Sequence, residues 1–474
     1  MRKTKIICTI GPASENPEIL SQIIEAGMNV SRHNFSHGDH EEHAARINLV
    51  KELAKKYNKE IAVMLDTKGP EIRTGKFEPK KVELQAGAKF TVHAGGDVVG
   101  NTEECSVTYA GLANDVKPGD TILIDDGLVG LTVESIEGNK IHCTVQNTGF
   151  VATHKGVNVP GVSIKLPALT EKDIADLKTA CEHDYDFVAI SFARNLEDIR
   201  QVRKVLDENG GKDIQIITKI ENVEGLSNLE DILNEADGQM IARGDMATET
   251  DFTEPPVVQK KIIKISNEIC KPAITATQML ESMTHQPLPT RAEASDVANA
   301  IYDRTSAIML SGECAQGDYP VECVKTMVKI ANRVEPTINY WKRFDENENV
   351  KLDDLESNIS YSACVIAKNI KADAIVCYTN SGDSARRLAG MGAGCPILAI
   401  TDNRRTFNQL ALAWNVTPVL VEKQETIDKT VEAGLKKLQD KEILEKGDTV
   451  VLASGSKMLE NNAESKIIGG VVKI

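Results

Sequence analysis

A lysine and a glutamate lie two residues apart in the segment ITKIENVEGL, at residues 217–226. The β-branched residues before them predict a strand, and the residues after them predict the start of a helix. Side chains two positions apart in a strand project from the same face. We therefore expect Lys219 and Glu221 to present an ammonium and a carboxylate to the same space. Such a pair can serve a reaction, or it can be a buried ion pair.

A second carboxylate follows the next predicted strand, in the segment ARGDMATE. Glu221 and Asp245 would lie on adjacent strands, and such a pair suits Mg²⁺ or Mn²⁺, which leave further positions to water and substrate oxygens. An ion pair with a neighbouring basic side chain is the alternative. Gly244 and Asp245 also lie where a helical turn opens, so free N–H groups could bind a carboxylate or phosphate, with Thr277 adding a hydroxyl. A Gly before an Asp also occurs in plain turns.

Two further segments, NFSHG and DTKGPEIRTG, supply a third group of polar side chains. Their oxygens could bind a monovalent cation, and their arginines have the planar fork that binds phosphate, although arginines alone are often surface residues. The oxygen-bearing residues are Asn34, Ser36, Asp66 and Thr67, with Glu71 nearby. The arginines are Arg32 and Arg73.

Three histidines with helical spacing resemble a set of metal ligands. They are His37, His40 and His43, in the segment SHGDHEEHAA. This segment lacks the HExxH pattern and predicts the acidic first turn of a helix. We therefore expect a solvated helix start, with only His37 close to any chemistry.

The elements that must position these residues follow a repeated pattern. Short β-branched runs alternate with amphipathic segments, three before and five after a region without helical periodicity, which predicts a parallel (β/α)8 TIM barrel. Catalytic groups in such barrels lie at the carboxyl ends of the strands, so the residues above would meet at one rim. The region in between predicts an inserted all-β domain, placed where a lid would lie. A separate C-terminal α/β domain is predicted from about residue 351.

The composition narrows the classes of function. The 55 Lys and Arg residues against 70 Asp and Glu residues give a net charge of −15, which argues against binding to nucleic acid or to an anionic membrane. Ten cysteines without a CxxC pair indicate reduced thiols and predict a cytoplasmic location. We find no apolar run near the roughly 18 residues of a membrane helix. There is also no P-loop, so a nucleotide would be held by scattered side chains.

At this point a series of motifs identifies a family. The motifs, in chain order, are CTIGPAS, NFSHG, DTKGPEIRTG, TKIEN, ARGD, ITATQMLESM, PTRAEASDVANAI and MLSGE. Over essentially its whole length the chain resembles pyruvate kinase. The resemblance implies a glycolytic enzyme that transfers the phosphoryl group of phosphoenolpyruvate to ADP, requires Mg²⁺ (or Mn²⁺) and K⁺, and assembles as a cytoplasmic, allosteric homotetramer. It implies a barrel at 1–69 and 167–345, a lid at 70–166 and an effector-type domain at 351–474.

The resemblance also gives each candidate residue a role. Lys219 would neutralise the transferring phosphoryl group and the enolate. The implied catalytic residues are Lys219, Thr277 and Arg32, with a hydroxyl relay near Thr277 and Ser311 protonating the enolate. The residues implied to bind phosphoenolpyruvate are Arg32, Lys219, Gly244, Asp245 and Thr277. Those implied to bind the nucleotide are Asn34, His37, Arg73 and Lys155. Mg²⁺ would be held by Glu221 and Asp245, and K⁺ by Asn34, Ser36, Asp66 and Thr67. Glu71 is the residue type of K⁺-dependent members, which predicts K⁺ activation.

Several positions near the site depart from the family pattern. In the segment GDMATETD, Ala247 replaces a glycine and Asp251 replaces a proline. Cys314 stands for a threonine, and Arg304 stands for a glycine. An arginine there would be costly if the position needs a positive φ. Reduced or altered activity would follow.

The C-terminal domain departs further. Asp383, in TNSGDSARRLAG, stands where activated members carry Lys or Arg, and a carboxylate repels phosphate. The segment SGSKMLENNAESKIIGG also lacks a GTTN-like piece. The resemblance is to members that we expect to lack the C-terminal extension found in some bacterial ones. We therefore predict weak or absent activation by fructose 1,6-bisphosphate.

Two other functions compete with the kinase. A Mg²⁺-dependent lyase that forms pyruvate enolate would use a similar pair of carboxylates, but the arginines, the monovalent-cation residues and the insertion disfavour it. The departures described above suggest a catalytically weakened regulatory paralogue, because fold resemblance does not guarantee function. The intact Lys219, Glu221, Asp245 and Thr277 count against that paralogue.

Overall fold

The structure, a computed structural model, describes residues 1–251, 253–347, 350–454 and 469–474. Eight parallel strands close into a barrel, and three of them precede a long insertion. The first elements are β1 (Lys5–Thr9), α1 (Pro17–Ala26), β2 (Val30–Asn34), α2 (His40–Lys56) and β3 (Ala62–Asp66). The side chain of Asp39 caps α2 by accepting a hydrogen bond from the N–H of Glu42 at 3.0 Å, which fixes where this helix begins.

The insertion is an all-β domain with its own hydrophobic core. Its elements are β4 (Ile72–Arg73), β5 (Lys81–Leu84), β6 (Lys89–Ala94), β7 (Glu104–Val107), α3 (Leu112–Asp115), β8 (Thr121–Ile124), β9 (Val129–Glu137), β10 (Lys140–Val145), β11 (Gly149–Ala152) and β12 (Gly156–Asn158). Seven strands form one sheet in the order β4-β12-β8-β9-β10-β6-β7, and β11 pairs with β5. Buried side chains such as Phe77 and Phe90 pack in a cluster separate from the barrel core.

The barrel resumes after the insertion. Its elements are α4 (Glu171–Glu182), β13 (Phe187–Ile190), α5 (Leu196–Glu208), β14 (Gln215–Lys219), α6 (Val223–Ser227), α7 (Leu229–Glu235), β15 (Gly238–Ala242), α8 (Arg243–Glu249), α9 (Glu254–Glu268), β16 (Ala273–Ala276), α10 (Arg291–Tyr302), β17 (Ala307–Leu310), α11 (Gly312–Ala315), α12 (Pro320–Val334) and α13 (Tyr340–Asp345). Short 3₁₀ turns lie at Glu281–Thr284 and Glu335–Thr337. The barrel closes in the order β1-β17-β16-β15-β14-β13-β3-β2. Its strands are almost fully buried, because side chains fill the interior and helices cover the outside.

A third layered unit follows the barrel. Its elements are α14 (Leu355–Ile370), β18 (Ala374–Tyr378), α15 (Asp383–Met391), β19 (Ile397–Thr401), α16 (Arg404–Gln409), a 3₁₀ turn (Leu410–Leu412), β20 (Val416–Leu420), α17 (Ile427–Asp440), β21 (Thr449–Ser454) and β22 (Gly469–Lys473). The strand order is β20-β19-β18-β21-β22, with β22 antiparallel to β21. The barrel, the all-β insertion and the C-terminal α/β domain are thus confirmed. The domain boundaries stay predictions, and the missing GTTN-like piece falls outside the described residues.

The barrel and the C-terminal domain meet around Trp414. The Nζ of Lys3 lies 5.5 Å from the Trp414 ring, and the guanidinium of Arg304 lies 5.6 Å from it. Arg304 also donates a hydrogen bond from Nη2 to the carbonyl of Gly390 at 2.5 Å. Its φ is +67°, so this position does need the left-handed conformation that favours glycine. The contacts with the C-terminal domain offset that strain. Across the described residues, no helix combines the length and apolar character needed to cross a membrane.

Candidate active site

The side chain of Lys219 lies at the carboxyl end of β14 and is almost buried. Its Nζ lies 2.9 Å from Glu221 Oε1 and 3.4 Å from Asp66 Oδ1, and it donates a hydrogen bond to Ser191 Oγ at 2.9 Å. These partners come from three neighbouring strands, because β3, β13 and β14 end at the same rim. The ammonium and carboxylate predicted to face one space therefore do so.

Burial and charge control the protonation of this cluster. Burial acts to lower the pKa of Lys219, but the charges of Asp66 and Glu221 outweigh it, so its pKa lies above the ordinary value. Burial is also the main reason that the pKa of Glu221 is raised, with Lys219 opposing and Asp245 adding to the effect. For Asp66, burial is outweighed by Arg32 and Lys219, which lower its pKa. Lys219 is thus held as a cation at neutral pH.

Asp245 lies in the first turn of α8, next to the strand that carries Lys219. The alternative ion pair with Arg243 does not form in the described part of the chain, because Arg243 Nη1 binds Asp296 Oδ2 at 2.7 Å. The charge of Asp245 raises the pKa of Glu221, so the two carboxylates share one environment. This arrangement fits a shared cation.

Thr277 lies in a strained conformation beside the start of α8. Its φ is +66°, which is rare for a β-branched residue and costs about 1–3 kcal/mol. Arg243 Nη2 donates to the Thr277 carbonyl at 2.6 Å, and the N–H of Gly244 donates to Thr277 Oγ1 at 2.9 Å. These bonds hold the hydroxyl against the backbone of Gly244, so Gly244, Asp245 and Thr277 are brought together as predicted from the sequence.

Arg32 and the residues predicted to bind a monovalent cation lie at the ends of β2 and β3. Arg32 Nε donates to Asp66 Oδ2 at 2.6 Å, and Nη1 donates to Thr9 Oγ1 at 2.9 Å. The strand register pairs Asn34 with Asp66. The Asn34 side chain accepts a hydrogen bond from the N–H of Ser36 at 3.1 Å. The backbone and side chains of this corner are thus already ordered.

Thr67 completes the same corner. Its Oγ1 accepts a hydrogen bond from the N–H of Ser191 at 3.2 Å, and its carbonyl accepts one from Ser191 Oγ at 2.7 Å. Ser191 therefore connects Thr67 to Lys219. The sequence analysis did not identify this connecting role of Ser191.

A cleft of about 500 Å³ separates the lid from the barrel rim. Arg73, Lys155, Asp125 and Asp245 are among the residues that line it. Arg73 Nη2 lies 2.6 Å from Glu71 Oε2, and Lys155 Nζ lies 3.0 Å from Asp125 Oδ1. The cations predicted to bind a nucleotide are thus collected in one cleft, whereas His37 and Asn34 do not line it.

The three histidines have separate environments. His37 is exposed, and its carbonyl bonds to His43 Nε2 at 2.8 Å. The His43 ring stacks on Phe35 with ring centroids 4.0 Å apart, and His40 Nε2 lies 2.7 Å from Asp176 Oδ1. The His37 side chain is exposed, whereas His43 is buried, so the helix start is not solvated throughout as the sequence analysis expected.

The carboxylates fit a divalent cation. Oε1 of Glu221 and Oδ1 of Asp66 are buried and face the ammonium of Lys219, whose Nζ lies 2.9 and 3.4 Å from them. Carboxylate oxygens are the ligands that a hard divalent cation prefers. Within the described ranges no group of three or more His, Cys, Asp or Glu residues forms a metal site. A cation on Glu221 and Asp245 would therefore need substrate and water oxygens as well.

Two features of the site were missed from the sequence. Phe192 has a φ of +57°, and its N–H donates to Glu221 Oε2 at 2.7 Å, which orients the carboxylate. Glu313 follows the last barrel strand but is buried, accepting from the N–H groups of Ser311 and Leu280 at 2.7 and 3.1 Å. It thus supports the loop. A bulky residue such as Phe192 gives no sequence signal for positive φ.

The departures near α8 are accommodated locally. Ala247 lies inside α8 and outside the set of residues with positive φ, so an alanine there costs no backbone strain and favours the helix. Asp251 Oδ1 accepts hydrogen bonds from the N–H and the hydroxyl of Thr253 at 2.9 and 2.6 Å. These contacts connect Asp251 to Thr253, the residue directly before α9. Cys314 is buried, with its Sγ 3.7 Å from the Pro320 carbonyl.

Comparisons with known proteins agree with this fold. A family model described as pyruvate kinase, barrel domain, matches residues 1–324, and one described as pyruvate kinase, alpha/beta domain, matches residues 357–465. A pyruvate kinase of Clostridium acetobutylicum is 52% identical over 455 residues, which are 96% of this chain and 96% of that protein. A pyruvate kinase of Bacillus licheniformis is 48% identical over 458 residues, which are 96% of this chain and 78% of that protein.

A solved structure gives the same result. The crystal structure of a pyruvate kinase from Cryptosporidium parvum superposes with a TM-score of 0.94 at 35% sequence identity, covering 100% of this chain and 96% of that one. Identity at this level over nearly the whole length extends to both the barrel and the C-terminal domain. The chain therefore belongs to the pyruvate kinase family and is a phosphotransferase that forms pyruvate and ATP from phosphoenolpyruvate and ADP.

Proposed function

We propose that Lys219 is the group that stabilises negative charge during phosphoryl transfer in this enzyme. The observation that carries the proposal is its buried ammonium, held by Glu221, Asp66 and Ser191 at distances of 2.9, 3.4 and 2.9 Å. A fixed charge in a dry site needs no reorganisation when the transition state forms. The same ammonium would then stabilise the enolate that remains after the phosphoryl group leaves.

Glu221 and Asp245 would hold Mg²⁺ (or Mn²⁺), whose charge would draw together the phosphate oxygens of the two substrates. The buried Glu221 carboxylate, close enough to Asp245 for that charge to raise its pKa, supports this assignment. The N–H of Phe192 orients the same carboxylate through its other oxygen. Asp245 stands on the separate helix α8, so the two ligands would approach the cation from adjacent strand ends.

Phosphoenolpyruvate would bind between Arg32 and the start of α8. Arg32 would contact the phosphate, and Gly244, Asp245 and Thr277 would hold the carboxylate. Ser311 Oγ is buried and has no hydrogen-bond partner among the described residues. Thr277 and Ser311 would therefore relay a proton to the enolate carbon through their hydroxyls or a water.

ADP would bind in the cleft under the lid. Arg73 and Lys155 line that cleft and supply positive charge for its phosphates. Asn34 and His37 lie outside the residues that line the cleft, so their contacts would be with a part of the nucleotide that extends beyond it toward the end of β2. The lid would exclude water from the transferring group.

K⁺ would be held by the corner of β2 and β3. The ligands would be Asn34, Ser36, Asp66 and Thr67. We expect turnover to require K⁺, because Glu71 carries the residue type of K⁺-dependent members. The test is turnover with Na⁺ or a tetraalkylammonium ion as the sole monovalent cation, and full activity with either would refute K⁺ dependence.

The assembly and location belong to the same proposal. We expect a homotetramer in solution, which light scattering coupled to gel filtration measures directly. All ten cysteines are free thiols, which supports a reducing, cytoplasmic location.

The central experiment is pyruvate formation from phosphoenolpyruvate and ADP by the purified chain. With Mg²⁺ and K⁺ present, we expect turnover of about 1 to 10³ per second. Chelation of divalent ions should abolish it, and readdition of Mg²⁺ should restore it. Turnover that survives chelation would contradict the role proposed for Glu221 and Asp245.

A further inference from the structure

One hydrogen bond joins the sheet of the lid to the barrel across the cleft. Asn158, in the lid strand β12, donates from Nδ2 to Glu249 Oε1 at 2.7 Å. Glu249 is the last residue of α8, the helix that also carries Gly244 and Asp245. Both side chains line the cleft. The contact therefore connects a wall of the lid to the helix proposed to bind substrate and cation.

Within the described ranges, the remaining side-chain hydrogen bonds between lid and barrel involve residues 163–166. This is the segment by which the chain returns to the barrel. Ser163 Oγ donates to Glu224 Oε2 at 2.8 Å, and Arg194 Nη1 donates to two backbone carbonyls of that segment at 3.1 and 2.8 Å. These bonds fix the returning segment. The hydrogen bond from Asn158 to Glu249, by contrast, comes from a strand of the lid's β-sheet.

The Glu249 carboxylate depends on its donor. Burial is the main cause that raises its pKa, Asp245 adds to the rise, and the hydrogen bond from Asn158 opposes it. A partly buried carboxylate beside another carboxylate is costly without a donor. The amide of Asn158 supplies that donor only when the lid lies at this distance from α8.

We propose that Asn158 and Glu249 are positioning residues that hold the lid over the cleft, and so set the distance of the lid cations from the barrel rim. Arg73 lies on β4, which pairs with β12, and Lys155 lies directly before β12. Both residues therefore move with Asn158. The inference rests on the proposed binding of ADP in the cleft. Its consequence is that loss of the bond weakens the use of ADP more than that of phosphoenolpyruvate, whose proposed contacts lie on the barrel.

Three variants test this pair. Asn158→Asp sets two carboxylates against each other, and we expect the KM for ADP to rise about ten- to a hundredfold, with the KM for phosphoenolpyruvate changing less than threefold. Glu249→Gln keeps a carbonyl acceptor for Asn158, so we expect the KM for ADP to change by less than about threefold. The double variant Asn158→Asp with Glu249→Gln reverses donor and acceptor and should recover most of the loss.

Two controls distinguish the positioning role of Asn158 and Glu249 from the proposed binding of ADP in the cleft. Thr144 donates a hydrogen bond to Glu134 at 2.7 Å on the exposed surface of the lid. Thr144→Asp likewise sets two carboxylates against each other, and it should leave the KM for ADP unchanged. Arg73→Ala tests the nucleotide cleft itself and should raise that KM. If Arg73→Ala raises the KM but Asn158→Asp does not, the positioning role is wrong. If neither raises it, ADP does not bind in this cleft. Failure of the double variant to recover also overturns the pairing.

Discussion

Replacing Lys219 by methionine removes the buried cation while keeping much of its apolar volume. One fixed donor aimed at developing charge contributes about 10² to 10³ in rate, and Lys219 is proposed to act on both the phosphoryl group and the enolate. We therefore expect kcat to fall about 10³-fold, roughly 4 kcal/mol of transition-state stabilisation. The KM for phosphoenolpyruvate should change far less, because Arg32 and α8 remain.

The same variant should destabilise the fold in a way that can be separated from activity. Glu221 is fully buried and loses the ammonium 2.9 Å away, whereas Asp66 keeps Arg32 at 2.6 Å. Removing one partner of a buried ion pair costs about 3–5 kcal/mol. The double variant Lys219→Met with Glu221→Gln removes the uncompensated charge, so it should recover stability but no turnover.

The assay is pyruvate formation as a function of phosphoenolpyruvate at saturating ADP, with thermal unfolding of the same preparations. Lys219→Arg serves as a charge-conserving comparison, since its planar fork does not reproduce a compact ammonium. A Lys219→Met enzyme that retained more than a tenth of wild-type kcat would refute the proposed role. Equal stability of the single and double variants would refute the argument from the buried pair.

Further expectations concern the C-terminal half and the base of the barrel. Arg304→Gly relieves the strain of a φ of +67° but loses the hydrogen bond to the Gly390 carbonyl. The free energy of unfolding, measured by denaturant titration, should therefore fall by about 1 kcal/mol. A rise would contradict this balance. Fructose 1,6-bisphosphate should not shift the phosphoenolpyruvate saturation curve, because Asp383 holds its carboxylate in this loop, paired with an arginine at 2.9 Å; a large leftward shift would refute the expectation. Burial, with help from Arg2, lowers the pKa of Lys5 to about 7. The unfolded chain then binds the extra proton above pH 7, so wild-type stability relative to Lys5→Met should rise by about 2–3 kcal/mol between pH 7 and 9; a flat difference in unfolding temperature would rule this out.

Much of the site was predictable because it lies at strand ends. The alternation of β-branched runs and helices predicts the barrel, and a parallel barrel brings the carboxyl ends of its strands to one rim. Lys219, Glu221, Asp66 and Asp245 could therefore be placed together before any distance was known. The residues proposed to bind the nucleotide were harder to place from the sequence. Arg73 and Lys155 line the cleft because of the position of the lid, which no local sequence pattern encodes.

The sequence alone determined the family, the three-part architecture and the residue types at the rim, since these follow from periodicity, motif order and side-chain chemistry. Tertiary structure decided how those groups pair. It joined Lys219 to oxygens of Asp66 and Ser191 from separate strands, gave Phe192 the positive φ that orients Glu221, and set Asn158 against Glu249 across the cleft. Each of these contacts joins residues distant in the chain or depends on backbone strain held by packing. Neither leaves a signal in a single sequence, because both arise only when the strands and the lid have assembled.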